Sequence, residues 1–477
     1  MRSLDFSRRS HTPPGPSRLR SAGSLAWMLS VGTMLTMACH YKAPNLAADG
    51  PVCANAVLPA VSVDGPIRNG AATFDSAWSI IARSHWDTTY HGVNWNTVRD
   101  TLRPKAAAAR DNETLRTVLT QMVGTLGQSH FAIIPGEGNG DVAAVPGRDL
   151  SGTIGATVRD VDGLMLVTAV RAGGPADRAG VRLGFAIQAV DGCVVAGRAK
   201  LPDERHVKLT HWSALMSVLR GPVGDSVHVR MQDGAGKSQT FAIAREGEPG
   251  QVTRLGNLPA ISAQLVTEKR VVDGRTIGVI RFNSWMAALS EGISNAVDSL
   301  RDVDAIVIDI RGNFGGVATM APGVAGHFVD TSLTLGTMIQ RGGVQYFVIN
   351  PQRVNSANKR VKPYSGPVAI VVDELSISTS EIFAAGMQAL GRARIFGAQT
   401  AGQALPSVAE QLPNGDFLYH AIANFLSPTG KPVEGVGVVP DVAVPVTRAQ
   451  LLQGRDPAFD AALAWAASSN KHTVRRK

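Results

Sequence analysis

At 477 residues the chain exceeds one ordinary domain and can bury a sizeable core, so two or three domains are expected. A hydrophobic share of 44% and 50 glycines exclude a disordered chain and fit a globular α/β or α+β protein. The net charge of +9 does not imply nucleic-acid binding: Arg2, Arg8, Arg9, Arg18 and Arg20 lie at the extreme N-terminus, Lys471, Arg475, Arg476 and Lys477 form a basic tail, and no basic stripe with interleaved aromatics occurs.

The first arginines lead into Leu25-Ala-Trp-Met-Leu-Ser-Val-Gly-Thr-Met-Leu-Thr-Met-Ala38. This stretch is too short to span a bilayer and ends in small residues, so residues 1–38 read as a signal peptide. Leu35-Thr-Met-Ala38-Cys39 is similar to a bacterial lipoprotein box, with the leucine one place early and Met37 unusual, and lipidation of Cys39 is preferred over ordinary cleavage nearby. Residues 39–70, rich in Ala, Pro and Val, read as a tether. The mature protein is thus expected in the periplasm or cell envelope, with a membrane contact through the lipid anchor. Cys53 and Cys193 could pair there, but spacing does not show it, and two separate thiols is the preferred reading.

Helical spacing begins in residues 71–145. Phe74, Trp78 and Ile81 share one face, and Leu115, Val118, Leu119, Met122 and Leu126 share another, which predicts a small helical N-terminal domain. In 146–246, Gly152-Thr-Ile-Gly155-Ala-Thr-Val, Leu164-Met-Leu-Val-Thr-Ala-Val, Gly174-Pro-Ala-Asp-Arg-Ala-Gly180-Val and Ile187-Gln-Ala-Val-Asp191-Gly192 resemble a PDZ domain. Such a domain takes an extended peptide as an added strand, and Thr153, Ile154, Gly155 and Ala156 would offer N–H groups to a terminal carboxylate. The competing reading is a degenerate, structural module.

In 260–447, strands at 276–282, 305–310 and 368–372 alternate with helical patterns near 289–300, 317–328 and 381–390, predicting a partly parallel sheet with crossover connections. Residues 448–477 read as a C-terminal helix and basic tail. The most informative stretch is Val368-Ala-Ile-Val-Val-Asp-Glu-Leu-Ser-Ile-Ser-Thr-Ser-Glu381-Ile-Phe, a strand, tight turn and helix. A serine in such a turn stands at the top of a sheet, beside the unpaired N–H groups of a helix start, as a hydrolytic serine requires. Ser378-x-x-Glu381 is equally a capping box, and Ser376, Ser378 and Ser380 could all serve the helix start.

The wider pattern is more specific. Asp373, Ser376-Ile-Ser-Thr-Ser-Glu381-Ile-Phe, Gly391-Arg-Ala393, Gly397-Ala-Gln-Thr400-Ala-Gly402, Leu412-Pro-Asn-Gly415, Pro428-Thr-Gly430, Val433-Glu434-Gly-Val-Gly-Val-Val-Pro440-Asp441 and the upstream Asp309-Ile-Arg311-Gly-Asn313-Phe-Gly315-Gly316 resemble the carboxyl-terminal-processing and tricorn family of serine peptidases. The resemblance spans about 124–445 and implies a multidomain α/β and α+β architecture: helical N-terminal domain, PDZ domain and crotonase-like α/β catalytic domain.

One branch of that family activates its serine with a lysine in the turn after Thr400; this chain has Gln403, whose amide cannot accept the proton. The tricorn-like branch uses a serine-histidine pair near the N-terminal part and a downstream glutamate, matched here by Ser129-His130 and Glu434. The resemblance therefore implies Ser378 as nucleophile, His130 as base, Ser129 and Glu434 as supports of the imidazole, and the N–H groups of Gly316 and Thr379 as oxyanion hole. Singly, His130 also reads as a helix-end histidine, Glu434 as a turn residue and Gly315-Gly316 as a plain turn.

No metal or cofactor is expected: His85 and His91 lack ligand spacing, and Gly312-Asn-Phe-Gly315-Gly316 lacks the Lys-Ser/Thr of a phosphate loop. The sequence thus predicts an exported serine endopeptidase acting on polypeptides through their free C-termini, with no nucleic-acid partner. The rivals are a pseudopeptidase, motivated by Gln403, and a peptide- or apolar-ligand-binding protein on the same fold.

Overall fold

The computed structural model describes residues 69–136, 151–195, 205–255 and 260–469. The expected signal peptide, Cys39, the tether and the basic tail lie outside these residues. Among the described residues no helix is long and apolar enough to cross a membrane.

Helices Gly70–Ser84, Trp95–Ala108 and Asn112–Gly124 pack through Phe74, Ile81, Leu102, Leu115, Leu119 and Met122. Asn94 and Asp111 cap the second and third by accepting N–H bonds from Thr97 and Thr114. This helical layer is not self-contained. Its core includes Leu412 and Leu418, and strand Ala132–Ile134 joins Phe417–Ala421 and Ser407–Gln411 in one antiparallel sheet, with Ala132 opposite Tyr419. A linear reading placed those segments in separate domains because strand pairing across 280 residues leaves no local signal.

The middle module is an antiparallel sheet running in the order Ala156–Val161, Leu164–Val170, Ala186–Val190, Ser226–Gln232, Ser238–Ala244, with the helix Arg205–Leu219 beside it. Val158, Val167, Val190, Leu215, Val227, Val229 and Ile243 fill its core. Arg448 binds the carbonyls of Gly184, Gln232 and Asp233 at 2.8–2.9 Å and ties this module to the C-terminal segment. Cys193 is disulfide-bonded, so the preference for two separate thiols is corrected; its partner lies outside the described residues.

The third part is built on a six-stranded sheet, in the order Leu265–Val272, Arg275–Phe282, Ala305–Asp309, Val368–Val372, Arg394–Gly397, Val442–Ala443. Only the first pairing is antiparallel. Ala305–Asp309 and Val368–Val372 are buried along their whole length, as expected of parallel strands covered on both faces. Their side chains alternate: Ile306, Ile308, Val368, Ile370 and Val372 enter one core, while Ala305, Val307, Ala369 and Val371 enter another, roofed by Phe459, Ala462 and Ala466 of helix Pro457–Ser468. The mixed α/β multidomain architecture expected from the sequence is present, and the carboxyl ends of the central strands open at one edge, where α/β sheets place ligands.

The helical layer is fixed to the peptidase part by Asp416, 1% exposed, which accepts two bonds from Arg116 (2.7 and 2.9 Å), one from the Gly136 N–H (3.0 Å) and one from Asn414 (2.7 Å). Asp416→Ala leaves Arg116 and the Gly136 N–H without an acceptor, and should lower stability by about 2–4 kcal/mol. Urea denaturation followed by circular dichroism measures this; a loss below about 0.5 kcal/mol, the range of neutral surface changes, would show that the clamp holds nothing.

Candidate active site

Strand Val368–Val372 ends at Asp373, and helix Thr379–Ala389 starts five residues past it. The three serines between have different surroundings. Ser376 donates to the Ile310 carbonyl at 2.9 Å and accepts the Asp373 N–H at 3.0 Å. Ser380 donates to the Asn313 carbonyl at 3.0 Å and accepts the Trp285 indole N–H at 2.9 Å. Both are fully buried and structural. Ser378 has φ 58° and ψ −117°, outside the regions open to an L-residue, and its hydroxyl makes no cap bond. Glu381 does reach back to the Ser378 N–H at 3.2 Å, but its own N–H bonds the Ser378 carbonyl at 2.8 Å. Helix capping therefore does not occupy the Ser378 hydroxyl.

The 312–316 loop, after the neighbouring strand, lies against this turn. Asn313 shapes it from within, accepting the Gly315 N–H at 3.0 Å and donating to the Phe282 carbonyl at 3.0 Å. Gly315 (φ +92°) is so close that a Cβ there would come within 2.7 Å of the Ser378 Cβ; Gly316 (φ +142°) abuts the Trp285 carbonyl. The Thr379 hydroxyl donates to the Gly316 carbonyl at 3.0 Å, locking the two turns together. Among the described hydrogen bonds, the N–H groups of Gly316 and Thr379 have no acceptor. Thr379 is the first residue of its helix, so its N–H has no intrahelical partner by construction.

A second set comes from the other side. After helix Asn112–Gly124 the chain turns through Gly127 (φ 61°) and His130 (φ 62°), presenting Ser129 and His130. Glu434 accepts the Ser129 N–H at 3.0 Å, the Ser129 hydroxyl at 2.9 Å and the Ala404 N–H at 2.8 Å. Because Ser129 spends its only proton on Glu434, its 2.7 Å contact with His130 is a bond from Nδ1–H, which leaves the Nε2 lone pair free. The His130 ring faces Tyr419, centroids 5.8 Å apart. Desolvation there pushes the imidazole from 6.5 down to about 4. Burial raises the Glu434 carboxyl, opposed by the bonds from Ala404 and Ser129.

Residues 402–404 connect the two sets: the Gln403 carbonyl accepts the Ser378 N–H at 2.9 Å, while Ala404 donates to Glu434. Ser129, His130 and Glu434 are joined directly; no hydrogen bond joins the Ser378 hydroxyl to His130 among the described residues.

Sequence reasoning missed the role of Glu381 beyond capping. Fully buried, it accepts Thr400 Oγ1 (2.5 Å), the Gly402 N–H (2.7 Å), the Gln403 N–H (2.9 Å) and the Ser378 N–H (3.2 Å). Burial raises it to about 7 against these four donors. The signal was the motif itself, which contains Thr400 and Gly402 but does not show that they converge on one carboxylate.

The expected peptide-binding loop lies at a distance in the middle module. Ile154 is buried, the Gly155 N–H is engaged by Thr153 Oγ1 at 3.3 Å, and the carbonyls of Ile154 and Gly155 accept from Ala176 and Arg171; Ala156 starts the end strand of the sheet. On that strand, the Val158 carbonyl accepts the Trp212 indole N–H at 2.9 Å, and Trp212 also packs on Phe314 of the glycine loop, centroids 5.4 Å apart. Arg159 bonds Asp373 at 2.9 Å, so the middle module touches both loops that frame Ser378. Among the described residues no cluster of His, Cys, Asp and Glu could hold a metal ion.

Residues 276–444 match the Peptidase family S41, and residues 70–124 match the tricorn protease C1 domain. The chain carries both domains and is a serine peptidase of family S41. It is similar to the carboxyl-terminal-processing peptidase 3, chloroplastic, of Arabidopsis thaliana, 26% identical over 88% of this chain and 76% of that one. It is also similar to the carboxyl-terminal-processing protease of Synechocystis, 24% identical over 81% of this chain and 84% of that one. Its fold is similar to that of the photosystem II D1 C-terminal processing protease, with a TM-score of 0.54, 22% identity, and coverage of 82% and 99%.

With His130 held near 4, the acid limb of hydrolysis should have its midpoint well below 6.5. A base must be neutral, so activity falls only as pH drops through the folded-state value. A pH–rate profile between 3.5 and 8 checks this; a limb centred at or above 6.5 would exclude a desolvated His130 as the group that titrates.

Proposed function

We propose that the chain is an exported serine endopeptidase of tricorn-like catalytic type, cutting polypeptides that it engages through their free C-termini. The observation that carries the mechanism is the unengaged Ser378 hydroxyl on a strained turn, beside two N–H groups without acceptors. Ser378 attacks the scissile carbonyl, whose oxygen gains negative charge and settles between the Gly316 and Thr379 N–H groups. Such donors act most strongly when already fixed, as the glycine geometry and the Thr379–Gly316 bond fix them here. His130 Nε2 takes the Ser378 proton and returns it to the leaving amine; a water then releases the acyl group by the same route. Ser129 and Glu434 hold the ring and stabilise the imidazolium. The missing Ser378–His130 bond is compatible with an unliganded site, where such bonds are often long and tighten on substrate binding.

The middle module is read as a PDZ domain and the sheet-bearing part as a crotonase-like catalytic domain, preceded by the helical domain at 71–145. Relatives named for carboxyl-terminal processing support polypeptide C-termini as substrate. The disulfide at Cys193 supports export, because such bonds persist in oxidising compartments. Lipidation of Cys39 would then place the enzyme at a membrane of the cell envelope.

Ser378→Ala should abolish hydrolysis of an unstructured protein and labelling by a fluorophosphonate, with the melting temperature nearly unchanged. His130→Ala should be as severe and Gln403→Ala far milder. Retained turnover in pure Ser378→Ala excludes that serine as nucleophile, and an unlabelled, inactive wild-type chain would instead favour the pseudopeptidase.

For substrate choice, amidation of the substrate C-terminus should weaken binding to the intact enzyme but not to one lacking residues 151–245. Equal binding of both forms would make the middle module a spacer or lid.

A further inference from the structure

We propose that His91 is a positioning residue of the peptidase: through the side chain of Gln128 it fixes the turn that carries Ser129 and His130. The inference rests on the catalytic reading of His130.

The segment 90–92 is strained. Tyr90, His91 and Gly92 have φ of 50°, 54° and 84°, three successive left-handed residues of which two carry side chains. Such conformations cost roughly 1–3 kcal/mol each and persist only where the surroundings over-determine them. Asp87 supplies that constraint, accepting the His91 N–H at 2.9 Å with one oxygen and the N–H and hydroxyl of Thr89 at 2.8 and 2.7 Å with the other.

The His91 ring thus presented meets the Gln128 amide at 2.6 Å. The other end of that amide meets His85 Nε2 at 2.9 Å, and His85 is fully buried, with its second nitrogen engaged by Asp87. Gln128 is therefore gripped from both sides by imidazoles. It lies between Gly127 and Ser129, inside the turn whose Gly127 and His130 are themselves left-handed.

Glu434 holds that turn only at Ser129. Without a second hold the turn could pivot about Ser129 and carry the His130 ring with it. The Gln128 grip is that second hold, and His91, about half exposed, is the arm of it that contributes least to the core. Asp87 faces His91 at 3.7 Å, and the charge of His91 acts on Glu434, lowering its carboxyl, so the arm also lies within electrostatic reach of the site it steadies.

The full chain, His91→Ala, His91→Gln, Gln128→Ala and the alanine double variant are compared by peptide turnover and melting temperature. His91→Ala should lower kcat about tenfold with KM within twofold, since a shift of about 1 Å in a reacting group can cost up to a hundredfold. His91→Gln, which keeps a donor and an acceptor, should restore most of it, and the double variant should be no worse than Gln128→Ala alone. Should His91→Ala not fold, His91→Phe replaces it, filling the space beside Trp86 without a hydrogen bond. Unchanged kcat with a lower melting temperature, or independent losses in the double variant, overturns the role of His91 while leaving Ser378 and His130 as assigned; an inactive wild-type chain overturns both.

Discussion

The site depends on the carboxylate of Glu434. A partly buried carboxylate cannot go without donors, and the three it finds are two from Ser129 and one from Ala404. Ser129 belongs to the turn after the N-terminal helices, and Ala404 belongs to the loop that touches the nucleophile turn. One side chain thus draws together segments separated by about 300 residues, and by accepting the Ser129 proton it also determines which nitrogen of His130 is left free.

Glu381 performs the matching task on the other side. Its four donors fix the Ser378 turn and residues 400–403 as one unit. The two carboxylates divide a single three-residue segment between them: Gly402 and Gln403 donate to Glu381, Ala404 to Glu434. Movement of that segment changes the setting of nucleophile and base together. The strain at Ser378 is tolerable because this unit, the Gln403 carbonyl and the glycine loop constrain it from several directions.

Much of this was legible in the sequence, and the limits are physical. The alternating, fully apolar runs at 305–309 and 368–372 mark parallel strands because both faces are covered, and strand followed by a serine turn and helix marks the elbow. Capping could not be separated from catalysis by pattern, since Ser376, Ser378 and Ser380 are chemically alike; only their bonds distinguish two structural serines from an unengaged one. The pairing of Ala132–Ile134 with Phe417–Ala421 was invisible for the same kind of reason. A short strand records that it will pair, not with which partner. Nor could spacing show that Cys193 is bridged.

Gln403 is the departure that most invited doubt, and charge accounting answers it. The loop position is retained for its backbone: its N–H serves Glu381 and its carbonyl serves Ser378, neither of which requires a particular side chain. The proton acceptor stands elsewhere. When His130 takes the Ser378 proton it becomes a cation in a corner whose desolvation disfavors that charge, and the relay through Ser129 to Glu434 is what offsets it. A lysine at 403, with its backbone between two carboxylates, would introduce a second cation able to compete for Glu434. The neutral amide leaves that carboxylate to the imidazolium, so substitution at 403 and recruitment of His130 are parts of one electrostatic solution.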